Sequence, residues 1–346
     1  MPWNDSCARG ALRPYAGLSL ALAVCVLWAL SAGLPELGLV ELLCSLWGRL
    51  WGEELDPVWR AVFFDLRLPR VLLAVIAGAG LALAGAGTQA VLGNPLVSPS
   101  ILGLTAGASL GASLVILYGG AFQARPGQWL LAGAAFCLAL LAVLLTYALA
   151  SFRRASKETI ILAGIAVSYI FTAGTVFLQY LAPYQDLRTI VFWSIGSLWN
   201  ADFRSAGLLA PLVLGVLPPL LLLAPRLNAL ALGEEGAAGV GVGARPLRLA
   251  TLGLCALISA CIVSFTGAIG FIDLVAPHLA RGLVGLDNRR VLPGAMLVGA
   301  LLLLAAETAA RSLMWPGEMP VGVMTSMIGG PFLLFLLLRR GGLGER

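Results

Sequence analysis

Long apolar runs separated by short polar turns make up most of the chain. They lack the strict alternation of a half-buried strand and the narrow apolar stripe of a soluble amphipathic helix. A helix needs about 20 mainly apolar residues to cross a bilayer. Ten stretches qualify, at 15–34, 68–92, 99–118, 128–151, 159–182, 203–224, 247–267, 271–285, 291–314 and 320–338. The eighth is the shortest and is rich in glycine. Between the fifth and sixth, Thr189–Trp199 predicts a short helix lying at the membrane surface. The pattern predicts one all-α membrane domain over residues 1–346, a bundle of ten transmembrane helices.

The longest polar interruption in the second half is Pro225–Arg248, with Glu234, Glu235 and several glycines inside it and Arg245 and Arg248 closing it. A membrane chain that keeps such a segment uses it to touch something in water. A second interruption, Gly93–Gly103, holds Pro95 and Pro99 and cannot continue a helix. Small residues recur at four-residue spacing, Gly78, Ala82 and Gly85–Ala86 in the second span and Gly103, Gly107 and Gly111 in the third. That spacing predicts helices packed close together at the bundle centre.

Polar residues inside the spans are few. Ser168, Thr172, Thr175 and Gln179 share one face of the fifth, and Thr325 and Ser326 lie in the last. Their hydroxyls either bond their own backbone carbonyls or form an uncharged polar wall along a substrate path. Asp273 and His278 lie in or near the eighth span and Glu307 in the ninth, where ionisable residues are functional candidates by default. Asp273 is expected near an end of its span, where most of the cost of burial is avoided. Glu307 and Arg311, four residues apart, are expected to pair along one helix face.

Composition agrees with the membrane class. The 346 residues are 60% hydrophobic and 11% charged, against about 25% charged in a soluble domain. The net charge of +5 comes from basic residues scattered between apolar runs, which excludes a nucleic-acid-binding surface. With both termini cytoplasmic, fourteen of the 22 Lys and Arg fall inside and eight outside, the bias membrane insertion requires. Pro225–Arg248 is then cytoplasmic, and Trp47, Trp51 and Trp59 lie in a long outer loop suited to the interface. Six cysteines without a C-x-x-C pair and a single histidine, His278, point to no metal site. The apolar run 16–34 exceeds a signal-peptide core and reads as a retained first helix.

Seven elements in order then resemble the FecCD family of ABC-transporter permeases, the family of vitamin B12, haem and ferric-siderophore importers. They are Arg67-Leu-Pro-Arg70, Gly93-Asn-Pro-Leu96, Ile161-Leu-Ala-Gly-Ile165, Phe192-Trp-Ser-Ile-Gly-Ser197, Leu230-Ala-Leu-Gly-Glu-Glu235, Gly267-Ala-Ile-Gly-Phe271 with Ala276-Pro-His278, and Met319-Pro-Val-Gly322. The resemblance covers roughly residues 60–340. It implies a type II importer permease in the cell (inner) membrane that pairs with a second copy or paralogue. Two cytosolic ATPase subunits would carry ATP-Mg, and a periplasmic or lipid-anchored binding protein would deliver the substrate. The permease would bind no cofactor and catalyse nothing, and no phosphate-binding G-x-x-x-x-G-K-[ST] motif occurs in the chain.

By the same resemblance, Leu230, Leu232, Gly233, Glu234, Glu235, Gly239 and Gly243 belong to the segment that couples to the ATPases. Arg67, Arg70 and Arg311 would receive acidic residues of the binding protein. Ser168, Thr172, Thr175, Gln179, Thr325 and Ser326 would line the path, with a ferric siderophore as the favoured cargo and haem or cobalamin as others. Three positions depart from the family pattern: Asp273 where glycine is usual, Glu307 where aspartate is common, and Asn288 where histidine is frequent. Two other functions stay open on the sequence. One is a secondary transporter driven by an ion gradient through Asp273 or Glu307, and the other an accessory membrane subunit with no passage of its own.

Overall fold

The computed structural model describes residues 5–32, 57–119, 127–152, 156–313 and 317–341, and among them helices fill the chain with no β-strand. In order they are α1 (Asp5–Ser31), α2 (Leu68–Leu92), α3 (Leu104–Tyr118), α4 (Gln128–Ser151), α5 (Lys157–Leu181), α6 (Tyr184–Ile195), α7 (Phe203–Leu230), α8 (Glu234–Gly239), α9 (Ala244–Thr266), α10 (Ile272–Val284), α11 (Asn288–Leu313) and α12 (Val321–Gly341). A helical turn at Pro57–Arg60 and a π-helical stretch at Ala61–Arg67 lead directly into α2. A 3₁₀ turn, Pro99–Leu102, leads into α3. Trp47 and Trp51 lie outside the described residues.

A helix occupies each of the ten predicted spans. Seven helical segments among the described residues are long and apolar enough to cross a membrane, and α3 and α12 add two shorter apolar ones. The eighth, α10, has 13 residues, so it reaches only about 20 Å against a hydrocarbon core of about 30 Å. It is a half-span whose first turn lies inside the bundle. The predicted surface helix is displaced: α6 begins at Tyr184, after Pro183, and stops at Gly196, whose φ of 83° ends it.

The polar interruption also contracts. Although α7 contains Pro211, Pro218, Pro219 and Pro225, it continues to Leu230. Membrane helices tolerate proline where neighbouring groups re-satisfy the freed carbonyls, so Pro225 does not open a loop. With α9 starting at Ala244, the segment predicted as 225–248 reduces to 231–243 around α8.

Helix α2 is the hub of the bundle, packed on α7, α9, α10 and α11. Its small residues are the cause. A Cβ at Gly78 would lie 2.3 Å from the Gly299 carbonyl of α11, and one at Gly85 would lie 1.9 Å from the Asp273 carbonyl of α10. On α3, a Cβ at Gly107 or Gly111 would lie 2.4 Å from a carbonyl of α4, that of Leu138 or Ala134. Backbone-to-backbone approach of this kind drives helix association in lipid, where apolar burial drives little. One apolar core joins α1, α2, α7, α10 and α11, and a second joins α3 and α4 to α9.

Candidate functional site

Where α9, α10 and α12 meet the 3₁₀ turn, the bundle leaves a cavity of about 750 Å³. Two tight crossings shape its wall. Gly322, at the start of α12, donates its N–H to the Gly196 carbonyl at 3.2 Å, and a Cβ there would lie 1.7 Å from the Ile195 carbonyl. Phe271 is the one described non-glycine residue with a left-handed backbone, at φ 69°. Its ring presses on α12 where a Cβ at Gly329 would come within 2.2 Å. That strained residue sets the entry of α10 and aims its first turn at the cavity.

Hydroxyls dominate the polar part of the lining: Ser98, Ser100, Thr105, Ser194, Ser259 and Ser326. Asp273, in the first turn of α10, is the one charged side chain among the described lining residues. It is only 7% exposed, so the expectation that it escapes burial near a span end is corrected. A charge at the bilayer centre costs about 2.5–3.5 kcal/mol on insertion scales. A helix N-terminus returns about 0.3–1 kcal/mol, up to about 2 in partly buried geometry. The dipole of α10 therefore offsets part of the cost, and the Ser98 hydroxyl contributes a hydrogen bond.

Of the predicted path residues, only Ser326 lines this cavity. Ser168 bonds the Gly164 carbonyl at 2.7 Å and Thr175 the Phe171 carbonyl at 3.1 Å. Thr325 and Ser326 bond the Gly322 carbonyl at 3.1 and 2.7 Å. Of the two readings of these hydroxyls, backbone bonding describes all four. Thr175 and Thr325 are buried, Ser168 and Gln179 half-buried, and Thr172 exposed on α5. Sequence reasoning missed Ser98, Ser100, Ser194 and Ser259, because serines spread over the 3₁₀ turn, α6 and α9 share no periodicity. The prolines of the Gly93–Gly103 turn were the available signal.

At the end of the bundle that carries α8, Leu232 and Val240 are 77% and 66% exposed. Glu234 opens α8 and is ion-paired with the buried Arg248, while Glu235 is exposed. Ala237 alone in α8 is buried, pinning it against the bundle. Gly233, at φ 96°, makes the turn that a residue with a side chain would strain. Gly239 and Gly243, in the same segment, have exposed positions, and Leu230 is buried at the end of α7. Near it, α2, α10 and α11 enclose a second cavity of about 520 Å³ with His278, Arg281 and Gln89 in its wall. Arg281 donates to Gln89 Oε1 at 2.7 Å.

At the opposite end the predicted docking arginines are engaged within the chain. Arg67 and Arg311 are buried and donate to the Leu30 and Ala29 carbonyls at the end of α1. Cations are favoured at that end of a helix. The expectation that both face outward is corrected: they anchor α1. Arg70 spans both carboxylate oxygens of Glu318, at 3.0 and 2.9 Å. The expected Glu307–Arg311 ion pair is absent, because Arg311 turns to the α1 carbonyl. Glu307 stays buried within the field of Arg70 and Arg311.

A multi-pass helical bundle with a cavity lined by apolar side chains and scattered hydroxyls and an exposed connecting segment at one end is the architecture of a transport permease. The sequence profile of the FecCD transport family matches residues 21–339, and the chain belongs to that family. It is 37% identical over 331 residues to the hemin transport system permease protein of Yersinia pestis, covering 96% of this chain and 98% of that one. It is 36% identical to the molybdate import system permease protein of Haemophilus influenzae, covering 95% and 97%. With the vitamin B12 import system permease protein of Klebsiella pneumoniae it shares 38% identity, covering 90% and 94%. An inward-facing metal-chelate type ABC transporter matches in structure with a TM-score of 0.80 at 33% identity, covering 93% of this chain and 98% of that one.

Proposed function

We propose that this chain is the membrane passage of an ATP-driven importer of metal chelates. The carrying observation is the α8 segment, where Leu232 and Val240 stand in water between two apolar helices. Exposed apolar side chains beside an exposed carboxylate fit a protein partner better than lipid or solvent. In this reading both termini and α8 are cytoplasmic, and residues 231–243 seat an ATPase that carries ATP-Mg. A second copy or a paralogue completes the passage, and the chain itself binds no cofactor. ATP binding would bias the inward/outward equilibrium by a rigid-body shift through α7 and α9.

On the outer face, Glu318 of the Arg70–Glu318 pair is exposed, and with Arg70 fixing its position it would meet the substrate-binding protein, where rim charges set docking rate and register. Arg67 and Arg311 would act there indirectly, by holding α1. The cargo class rests on the named relatives, and a ferric siderophore is the chelate proposed first, with haem and cobalamin next.

The test is uptake by proteoliposomes containing the chain, its ATPase and its binding protein. The Leu232→Glu and Val240→Glu double variant should lose at least tenfold of ATP-driven uptake and of ATPase co-purification, at unchanged melting temperature. Uptake driven by a proton or sodium gradient without an ATPase would overturn the reading in favour of secondary transport.

A further inference from the structure

Helix α1 is held to the bundle along a single stripe. Tyr15, Leu18, Leu22, Cys25, Val26 and Ala29 pack on the core it shares with α11. On its other side Leu20, Val24 and Leu27 are 67%, 58% and 48% exposed. Positions 13, 20, 24 and 27 follow at steps of seven, four and three, so the exposed Arg13 heads this apolar stripe.

The apolar span of α1 begins at Arg13 and that of α11 at Asn288. The Tyr15 hydroxyl donates to the Arg290 carbonyl at 2.8 Å, which sets the two beginnings side by side at the α8 end of the bundle. Arg13, Arg289 and Arg290 are all exposed there, and none of the three makes an ion pair among the described residues. The described carboxylate near them is Asp287. It is already bonded to the Asn228 amide and the Arg289 N–H, and its charge offsets one arginine of the three.

Membrane insertion asks only for basic residues on one side of the bilayer. It does not ask that they flank one helix seam at the head of an apolar stripe. An anionic phospholipid satisfies both features, with its phosphate at the arginines and an acyl chain along Leu20, Val24 and Leu27. Guanidinium groups bind phosphate strongly, and basic clusters between membrane helices attract anionic headgroups. A second copy on this face would instead set a like-charged cluster against its own.

We propose that the α1–α11 seam is a binding site for an anionic phospholipid, held by Arg13, Arg289 and Arg290 and by the exposed stripe of α1. The site lies apart from the cavity beside α10 and stands independently of the importer reading.

Native mass spectrometry of the purified full chain tests this by titration with dioleoylphosphatidylglycerol or dioleoylphosphatidylcholine, which share acyl chains and differ in charge. The anionic lipid should bind with a Kd about 25-fold lower, at about fivefold for each of the two net cations. In the Arg13→Gln and Arg290→Gln double variant the preference should fall to within about threefold. The Lys157→Gln and Arg245→Gln double variant removes the same charge from α5 and α9 and should keep it. No preference in the native chain, a preference that survives Arg13→Gln with Arg290→Gln, or equal loss in both double variants overturns the proposal. Displacement of the lipid by inorganic phosphate at constant ionic strength would make a free anion the ligand and overturn it too. So would near-complete oxidative cross-linking of Leu20→Cys between copies, measured against the parent chain, because it would seat a second copy on this face.

Discussion

The two ends of the bundle carry similar charged residues in opposite circumstances. At one end Arg67 and Arg311 are buried and bonded to the last carbonyls of α1, and Arg70 is held by Glu318. At the other, Glu234 is held by Arg248, but Glu235 stands exposed beside Leu232 and Val240. The first arrangement gives its charges internal partners and so serves the fold. The second leaves side chains without internal partners and so serves a contact outside the chain. Charge alone does not mark a docking surface; what the charge is already bonded to does.

That contrast predicts a graded set of effects. Arg311→Ala removes the buried donor to the Ala29 carbonyl and one of the two cations near Glu307, so it should cost about 1–3 kcal/mol. The fall would be read as a lower melting temperature of the purified protein in detergent; a loss under about 1 kcal/mol would mean that α1 is held by packing alone. Arg248→Ala should cost less, about 1 kcal/mol, because Glu234 can hydrate once freed. Amide exchange across Glu234–Gly239 should rise in that variant while the remainder stays protected.

Smallest is a pH effect at Asp287, beside the α8 end of the bundle. Burial alone would raise its carboxyl, but the Asn228 amide, the Arg289 N–H and the nearby Arg289 and Arg290 charges outweigh it and hold it below the usual carboxylate range. Asn228 donates to it at 2.6 Å and the Arg289 N–H at 3.0 Å, an N-cap for α11. A depressed carboxyl stabilises the fold above its unfolded value of about 3.9 and loses that contribution as pH falls through the folded value. The melting-temperature advantage of the native chain over Asp287→Ala should therefore be present at pH 6–7 and shrink below about pH 4. A margin that stays constant across that range would assign the whole effect to the capping geometry.

Much of the architecture was legible because a bilayer imposes one strong rule: an apolar run of sufficient length must be a helix. Thus a helix at each of the ten predicted spans, close packing at the small residues of α2 and α3 and the polar segment at α8 all followed from local pattern. Boundaries were less legible. Pro225 ends a soluble helix but not α7, whose neighbours absorb the disruption. The central cavity was the least legible, since Ser98, Ser194, Ser259 and Asp273 come from four separate elements and carry no spacing that links them.

The amino-acid sequence by itself determined the membrane class, the helix count, the close-packed faces and the family, since each depends on length, hydropathy or contiguous motifs. Only the tertiary structure decided which polar residues meet. It turned Arg67 and Arg311 inward onto α1, drew α10 into a half-span, and set Asp273 in a hydroxyl-lined cavity. The physical reason is that hydrogen bonds and charge pairs join groups adjacent in space. In this chain those groups stand 37 residues apart for Arg67 and Leu30 and 282 apart for Arg311 and Ala29.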